Sequence, residues 1–310
     1  RRFAGVGRMR VALEVGTHSP WVKGLLEECG HEVVVANPRK VRLIGESRHK
    51  DDRLDAEYLA RLARVDPRLL SPVQHRQQEV RADLALVKSR DALVRCPTAL
   101  INHVRGMVKP FGVRIRSCSA HSFARVAGES IPKELEAALG PVVEAIGSLT
   151  RLIRRYDTTI EEVVEEKYPA AGHLQQIRGV GPVTSLAYVL TLQDPDRFKK
   201  SRDVGPYLGL VPARRASGDA DPQLRITKTG DVFLRRLLVN AAHYVLGPFG
   251  EDCDLRRYGL RIAQRGGKNA KKRAVVAVAR KLAVLLHRLW TTGEVYEPFH
   301  TTQHTTMTAA

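Results

Sequence analysis

The sequence predicts an α/β segment followed by an all-α remainder. Two short β-branched runs separated by a helical stretch stand near the front. A seven-residue apolar period runs through the middle, and tight glycine turns separate apolar helical runs at the back. With 310 residues, the chain is long enough for two or three domains that each bury a core.

Residues 9–15 alternate loosely and are short, as strands are. Residues 20–29 suit a helix, with Trp21, Leu25 and Leu26 on one face and Gly30 as its stop. Residues 31–37 form a second β-branched strand, closed by Asn37-Pro38. A helix follows over 50–63, with Leu54, Leu59 and Leu62 as its core stripe. Strand–helix–strand–helix order implies a parallel pair with a right-handed crossover. Across 80–108, apolar pairs recur every seven residues as Leu86/Val87, Leu93/Val94, Leu100/Ile101 and Met107/Val108. Pro97 should kink that helix or mark its break. Pro110, Gly112 and the Ser-rich stretch after Arg116 form a connection. A second stripe runs Leu135, Leu139, Val142, Ile146, Leu149, Ile153, Tyr156, Ile160, Val163, which is a heptad seam that must tolerate Gly140-Pro141. An antiparallel helical hairpin is the simplest arrangement, and such a seam can also pair two subunits. At the back, core helices are expected over 183–192, 232–246 and 271–290. The expected boundaries are 1–70, 71–168 and 169–298, with a Thr-rich tail, 299–310, expected to be disordered.

Charge narrows the function. Lys and Arg number 51 against 33 Asp and Glu, a formal net charge of +18 and an isoelectric point near 10.1. Between Arg197 and Arg288, 21 basic residues face 7 acidic ones, so +14 of the +18 lies there. Such an excess repels itself unless a polyanion uses it. Carboxylates gather instead at Asp51, Asp52 and Asp55 and between Glu134 and Glu166. No apolar run approaches the ~18–20 residues that span a bilayer. The first residues lack the apolar core of a signal peptide. Four separated cysteines with no Cys-x-x-Cys pair exclude a zinc module or a disulfide framework. The composition is that of a cytoplasmic nucleic-acid-binding protein.

Four groups of residues could carry chemistry. Asp52 and Asp55 are three apart on a helix and face one side, where like charges destabilise unless a metal or a base neutralises them. Glu14, ending a neighbouring strand, could converge on them and complete a Mg²⁺ site. The alternative is a solvated helix start favoured by the dipole. The run Ile177-Arg178-Gly179-Val180-Gly181-Pro182-Val183-Thr184 has the glycines of a helix–hairpin–helix turn, which cradles phosphate with backbone N–H groups, or of a plain turn. Ser217 in Ala216-Ser217-Gly218, flanked by Arg214, Arg215, Arg225, Lys228, Arg235 and Arg236, could attack a phosphodiester if cations steady the developing charge. Ser-Gly is also ordinary turn chemistry. Lys268, Lys271, Lys272, Arg273, Arg280, Lys281 and Arg288 flank an apolar helix face with no acidic residue between Leu255 and Gly293, which favours phosphate contact over plain solvation. The eleven histidines show no metal-ligand spacing.

Taken together, Ala12-Leu13-Glu14, the block Lys50-Asp51-Asp52-Arg53-Leu54-Asp55-Ala56 and the C-terminal series resemble the DEDD-type transposases of bacterial insertion sequences, the bridge-RNA-guided recombinases. That series is Ile177 to Pro182, Gly209-Leu210-Val211-Pro212, Ser217-Gly218 and Ile226-Thr227-Lys228-Thr229-Gly230 before Leu234-Arg235-Arg236. The resemblance covers essentially the whole chain. It implies a truncated RNase H-like (RuvC-like) domain in which Glu14, Asp52 and Asp55 are the second, third and fourth acidic ligands of Mg²⁺ or Mn²⁺. It further implies a coiled-coil hairpin used in assembly and a mainly helical C-terminal domain with Ser217 as nucleophile. The partners implied are DNA, a structured non-coding guide RNA and further copies of the chain, as dimer or tetramer, in the bacterial cytoplasm at the nucleoid. Gly179, Gly181, Thr184, Arg214, Arg215, Arg225, Lys228, Arg235, Arg236, Lys271 and Lys272 are the expected nucleic-acid contacts. Two departures stand out. The family opens on a strand carrying a first Asp, and none precedes Asp51 here; Asp51 itself replaces a small hydroxyl or amide residue. The expectation is therefore an N-terminally incomplete fragment or a decayed copy, inactive or weak as given. The rival expectations are a non-catalytic nucleic-acid-binding remnant and a metal-dependent nuclease for branched DNA.

Overall fold

The structure, a computed structural model, describes residues 5–38, 41, 51–215 and 224–299. The chain divides into two compact units, Arg1–Gln77 and Gln78–Ala310.

In the first unit, strand β1 (Arg10–Glu14) pairs in parallel with β2 (Glu32–Ala36), with Arg10 opposite Glu32 and Glu14 opposite Ala36. Helix α1 (Ser19–Glu28) makes the crossover and stops at Gly30, which takes φ +86°. Helix α2 (Asp52–Val65) starts at Asp51, whose Oδ1 accepts the Arg53 N–H at 2.9 Å. Leu59 and Ala63 of α2 pack on Val34, Ala36, Val41 and Leu70, a small core beneath a two-stranded sheet. Arg10 Nη1 at the start of β1 donates to the Ala63 carbonyl near the end of α2, at 3.1 Å, which ties the helix to the strand. The parallel pair and its crossover are as expected from the sequence.

The second unit is helical. α3 (Gln78–Met107) and α5 (Lys133–Lys167) form an antiparallel hairpin, with Arg90 Nε 2.8 Å from Asp157 and Lys167 Nζ 3.5 Å from Asp83. The Tyr168 hydroxyl donates to Asp83 at 2.8 Å; burial first, then that carboxylate, pushes its pKa up to about 12. α3 continues through Pro97, which is buried inside it, so the proline does not break the helix. The stretch after Arg116, expected to be a connection, contains a helix, α4 (Ala120–Gly128), capped by the Ser119 hydroxyl. Phe123, Val126 and Ala127 of α4 join Val104, Val108, Leu139 and Ile146 in a core at the hairpin tip.

The buried stripe of α5 differs from the expected one. Leu139, Ile146, Ile153 and Ile160 are buried as expected, but their buried companions are Val143, Thr150 and Val164 rather than Val142, Leu149 and Val163. Both sets obey a seven-residue period, so the period alone cannot choose. The side facing α3 also carries Asp157, which holds Arg90, and Thr150, whose hydroxyl bonds the Ile146 carbonyl at 2.9 Å.

The hairpin root is continuous with the main core. Leu84, Val87, Ile160 and Val164 cluster with α6 (Pro169–Leu174), α7 (Pro182–Leu192), α8 (Val204–Tyr207), α9 (Val232–Leu246), α10 (Asp254–Gln264) and α11 (Ala270–Thr292). α7 is buried at nearly every position, as its apolar sequence requires, and the Tyr188 hydroxyl donates to the Ala283 carbonyl. Asp254 N–H donates to the Pro298 carbonyl and Arg257 lies over the Phe299 ring, so the chain stays attached up to Phe299. Among the described residues no helix is long and apolar enough to cross a membrane.

The seam register can be measured by denaturant unfolding. Ile146→Ala should cost about 2–5 kcal/mol, and Leu149→Ala, half-buried on the other flank, about half as much.

Candidate functional site

In the first unit, Glu14 ends β1, and Asp52 and Asp55 stand in the first turn of α2. Glu14 and Asp52 are exposed and Asp55 is half-buried. Asp51 is an N-cap, which accounts for the departure from a small hydroxyl or amide residue, since all these types cap helices. Among the described residues, however, no three His, Cys, Asp or Glu side chains are grouped closely enough to hold a metal ion. Glu14, Asp52 and Asp55 are among the residues that form no such group.

In the second unit, the segments on either side of Ser217 form an antiparallel ribbon. Pro212 bridges Ile226. Ala213 N–H donates to the Arg225 carbonyl at 2.9 Å, Thr227 N–H to Val211 at 2.9 Å and Lys228 N–H to Gly209 at 3.2 Å. Ser217 lies outside the described residues. Arg214, Arg215, Arg225 and Lys228 of the ribbon are exposed, and Lys228 has φ +55°.

The ribbon base is locked. A side chain on Gly209 would strike the Thr229 backbone, and one on Gly230 would strike the Tyr207 carbonyl; both glycines have positive φ. Here Arg235, expected to grip phosphate, does something else. It is only 8% exposed, and its Nη1 donates to the carbonyls of Leu208 at 2.9 Å and Thr229 at 2.6 Å. Its charge is spent inside the protein. Arg236 is likewise engaged, with Nη2 2.6 Å from Asp91 of α3 and its guanidinium 5.4 Å from the centre of the Phe233 ring. On α9 the buried Arg235 is turned toward the ribbon base, and the partly exposed Arg236 toward the hairpin.

The glycine turn 177–181 joins α6 to α7. Gly179 takes φ +92°, and a Cβ there would stand 2.9 Å from the Tyr244 ring, so glycine is required. The Gly181 carbonyl accepts the N–H groups of both Thr184 and Ser185 at 3.0 Å, and Thr184 is buried. The Thr184 N–H is therefore used within the helix start rather than offered outward. Arg178 pairs with Glu251 at 3.2 Å. Lys271 and Lys272 are exposed on the first turn of α11.

Two family patterns match the chain. Residues 2–111 match a DEDD-type transposase domain described as "Transposase". Residues 171–251 match "Transposase IS116/IS110/IS902 family". The transposase for insertion sequence element IS1111A of Coxiella burnetii is 31% identical over 266 residues, covering 80% of this chain and 68% of that protein.

The chain belongs to the IS116/IS110/IS902 family of transposases.

Other relatives agree. The transposase for insertion sequence element IS1328 of Yersinia enterocolitica is 30% identical over 242 residues, 75% of this chain and 69% of that one. A probable family 20 transposase of Pseudomonas aeruginosa is 27% identical over 296 residues, 93% and 86% of the two chains. Membership in a transposase family carries DNA-processing activity and DNA binding, and the DEDD type carries divalent-metal use in general. Against that use, the donor chemistry of the first unit fits: Glu14, Asp52 and Asp55 offer hard oxygen ligands and form no ion pair with a described residue.

Arg235→Ala should destabilise this transposase by about 2–4 kcal/mol, since two inward carbonyls lose their donor, while Arg215→Ala should stay within about 0.5 kcal/mol. Urea unfolding with an unchanged slope is the check.

Proposed function

We propose that the chain is a site-specific DNA recombinase that mobilises an insertion sequence, cutting and rejoining strands with Ser217 as nucleophile. The observation that carries this reading is the ribbon, which sets Arg214, Arg215 and Arg225 on both sides of the segment bearing Ser217. In the proposed step the Ser217 Oγ attacks a backbone phosphorus and forms a phosphoserine bond to one DNA end. The bond to the departing sugar oxygen breaks, and that oxygen leaves as a hydroxyl. Attack by a hydroxyl of another strand reverses the exchange and frees the serine. Charge on the phosphoryl oxygens grows in each transition state, and the guanidinium groups of Arg215 and Arg225, with Lys228, are the cations proposed to steady it.

Glu14, Asp52 and Asp55 are the carboxylates that would hold a divalent ion, Mg²⁺ or Mn²⁺, in a domain proposed to be RNase H-like; such an ion would polarise a phosphate oxygen and orient a nucleophile. The place of Glu14 at the end of β1 supports this assignment, since ligands of parallel α/β sheets gather outside the carboxyl ends of the strands. The glycine turn of residues 177–181 is proposed as a helix–hairpin–helix contact to backbone phosphate, through Gly179 and Gly181. Selection of DNA by a structured guide RNA rests on the resemblance of the motif series. Assembly of copies through the hairpin is supported by the half-exposed flank of Val142, Leu149, Tyr156 and Val163.

Even at the weak rate expected of three carboxylate ligands, a reaction with its insertion-sequence DNA should leave a covalent protein–DNA species on a denaturing gel, and Ser217→Ala should abolish it while duplex binding persists. Cleavage that continues unchanged in Ser217→Ala, with no adduct in the wild type, would overturn the serine assignment in favour of a nuclease. Chelation of divalent ions should reduce cleavage at least about a hundredfold, as should Asp52→Asn.

A further inference from the structure

The basic residues of α10 and α11 divide into two groups. Five are already in contact with other groups. Arg256 donates to the Val245 carbonyl at 2.6 Å and to Gly247 at 2.7 Å. Arg257 pairs with Asp252 at 2.7 Å. Farther along α11, the stem of Arg280 lies against Gly205, Lys281 caps the Tyr258 ring at 4.3 Å, and Arg288 pairs with Glu294 at 2.9 Å. The other group is concentrated at the junction of the two helices. Arg261, Arg265, Lys268, Lys271, Lys272 and Arg273 are all exposed, and none forms an ion pair with a described residue. Arg273 reaches only the Gly266 carbonyl, at 3.2 Å.

This arrangement works against the fold. Lys271, Lys272 and Arg273 crowd the first turn of a 23-residue helix that has no acidic residue there, so they oppose its dipole as well as one another. Cations kept at such a place, unneutralised by the protein, match a polyanion outside it. Its geometry indicates a duplex backbone rather than unstacked bases. The aromatic side chains of these two helices are turned away or covered: Tyr258 lies under Lys281, and Trp290 is half-buried edge-on to Tyr188. Without an aromatic platform, single strands have nothing to stack on. The Gly266–Gly267 turn between the helices is exposed and has open space where side chains would project, apart from Arg273 nearby, so a phosphate ridge can come close to it.

We infer that the α10–α11 junction is a duplex-DNA grip, a sequence-independent backbone-binding surface distinct from the Ser217 ribbon, with Arg261, Arg265, Lys268, Lys271 and Lys272 as its phosphate contacts. The inference rests on the transposase reading only for the identity of the polyanion.

The test compares the full chain with the variant Arg265→Gln/Lys268→Gln/Lys272→Gln, using fluorescence anisotropy on a 30-base-pair DNA duplex, a single strand of the same sequence, and an RNA duplex, from low to moderate salt. Loss of three phosphate contacts should flatten the slope of log K against log salt by about 3 and weaken duplex-DNA binding roughly 100-fold or more at 0.1 M salt, equally for unrelated sequences. Thermal unfolding should hold steady or shift upward, because the cations being removed oppose the helix dipole. Unchanged duplex affinity and slope would overturn the inference, and so would a loss confined to RNA. Should the triple variant misfold, Lys268→Gln and Lys272→Gln singly, each with a slope change near 1, serve the same purpose. Ser217→Ala separates this inference from the strand-exchange reading. If the wild type forms no adduct but the triple variant still loses duplex binding, the grip stands and the nucleophile assignment falls.

Discussion

A guanidinium that solvent scarcely reaches sets the layout of the second unit. Arg235 draws the carbonyls of Leu208 and Thr229 to one nitrogen, and so fixes both strands of the ribbon at their common base. Leaving such an inward acceptor unmet is expensive. The glycines at 209 and 230 let the two strands approach closely enough to share that donor. One residue later, Arg236 reaches to Asp91 and ties the same helix to the hairpin. The base of the ribbon is therefore tied both to itself and to the hairpin.

The chain's large positive excess becomes intelligible once each cation is followed to its surroundings. Many are consumed internally: Arg90 by Asp157, Arg178 by Glu251, Arg257 by Asp252, and Arg235 by backbone oxygen. Among the described residues, cations that form no ion pair are concentrated at the α10–α11 junction, at Arg261, Arg265, Lys268, Lys271 and Lys272. A protein whose basic residues were only solvated would scatter them.

Much of the fold was legible because periodicity is a direct imprint of burial. The parallel strand pair, both hairpin helices and the spans of α7, α9 and α11 all carry it. α10 was missed because it buries little, with Leu255 and Gly259 its buried positions, so arginines dominate its sequence. α4 was missed because serines and a histidine disguise a short helix whose one large anchor is Phe123. The choice between Val142 and Val143 for the seam could not be read, since the deciding contacts, Arg90 with Asp157 among them, come from another helix. The candidate site was legible in its residue types and illegible in their use. Charge can be counted in a sequence, but whether a guanidinium faces water or a carbonyl depends on what folds over it, as Arg235 shows. A basic stripe at Arg257, Arg261 and Arg265, four residues apart, was the available signal for the α10 face.

The hairpin has one core at its root and a separate one at its tip, joined by two long helices. α5 alone extends about 52 Å, and only its last turns are embedded in the main body. An arm of that length magnifies whatever happens at its pivot: a tilt of about 10° there sweeps the far end through roughly 9 Å. Small adjustments around Asp83, Tyr168 and Asp91 are thus felt at the tip as displacements the size of a helix diameter, and pushes on the tip return to the pivot with the same leverage.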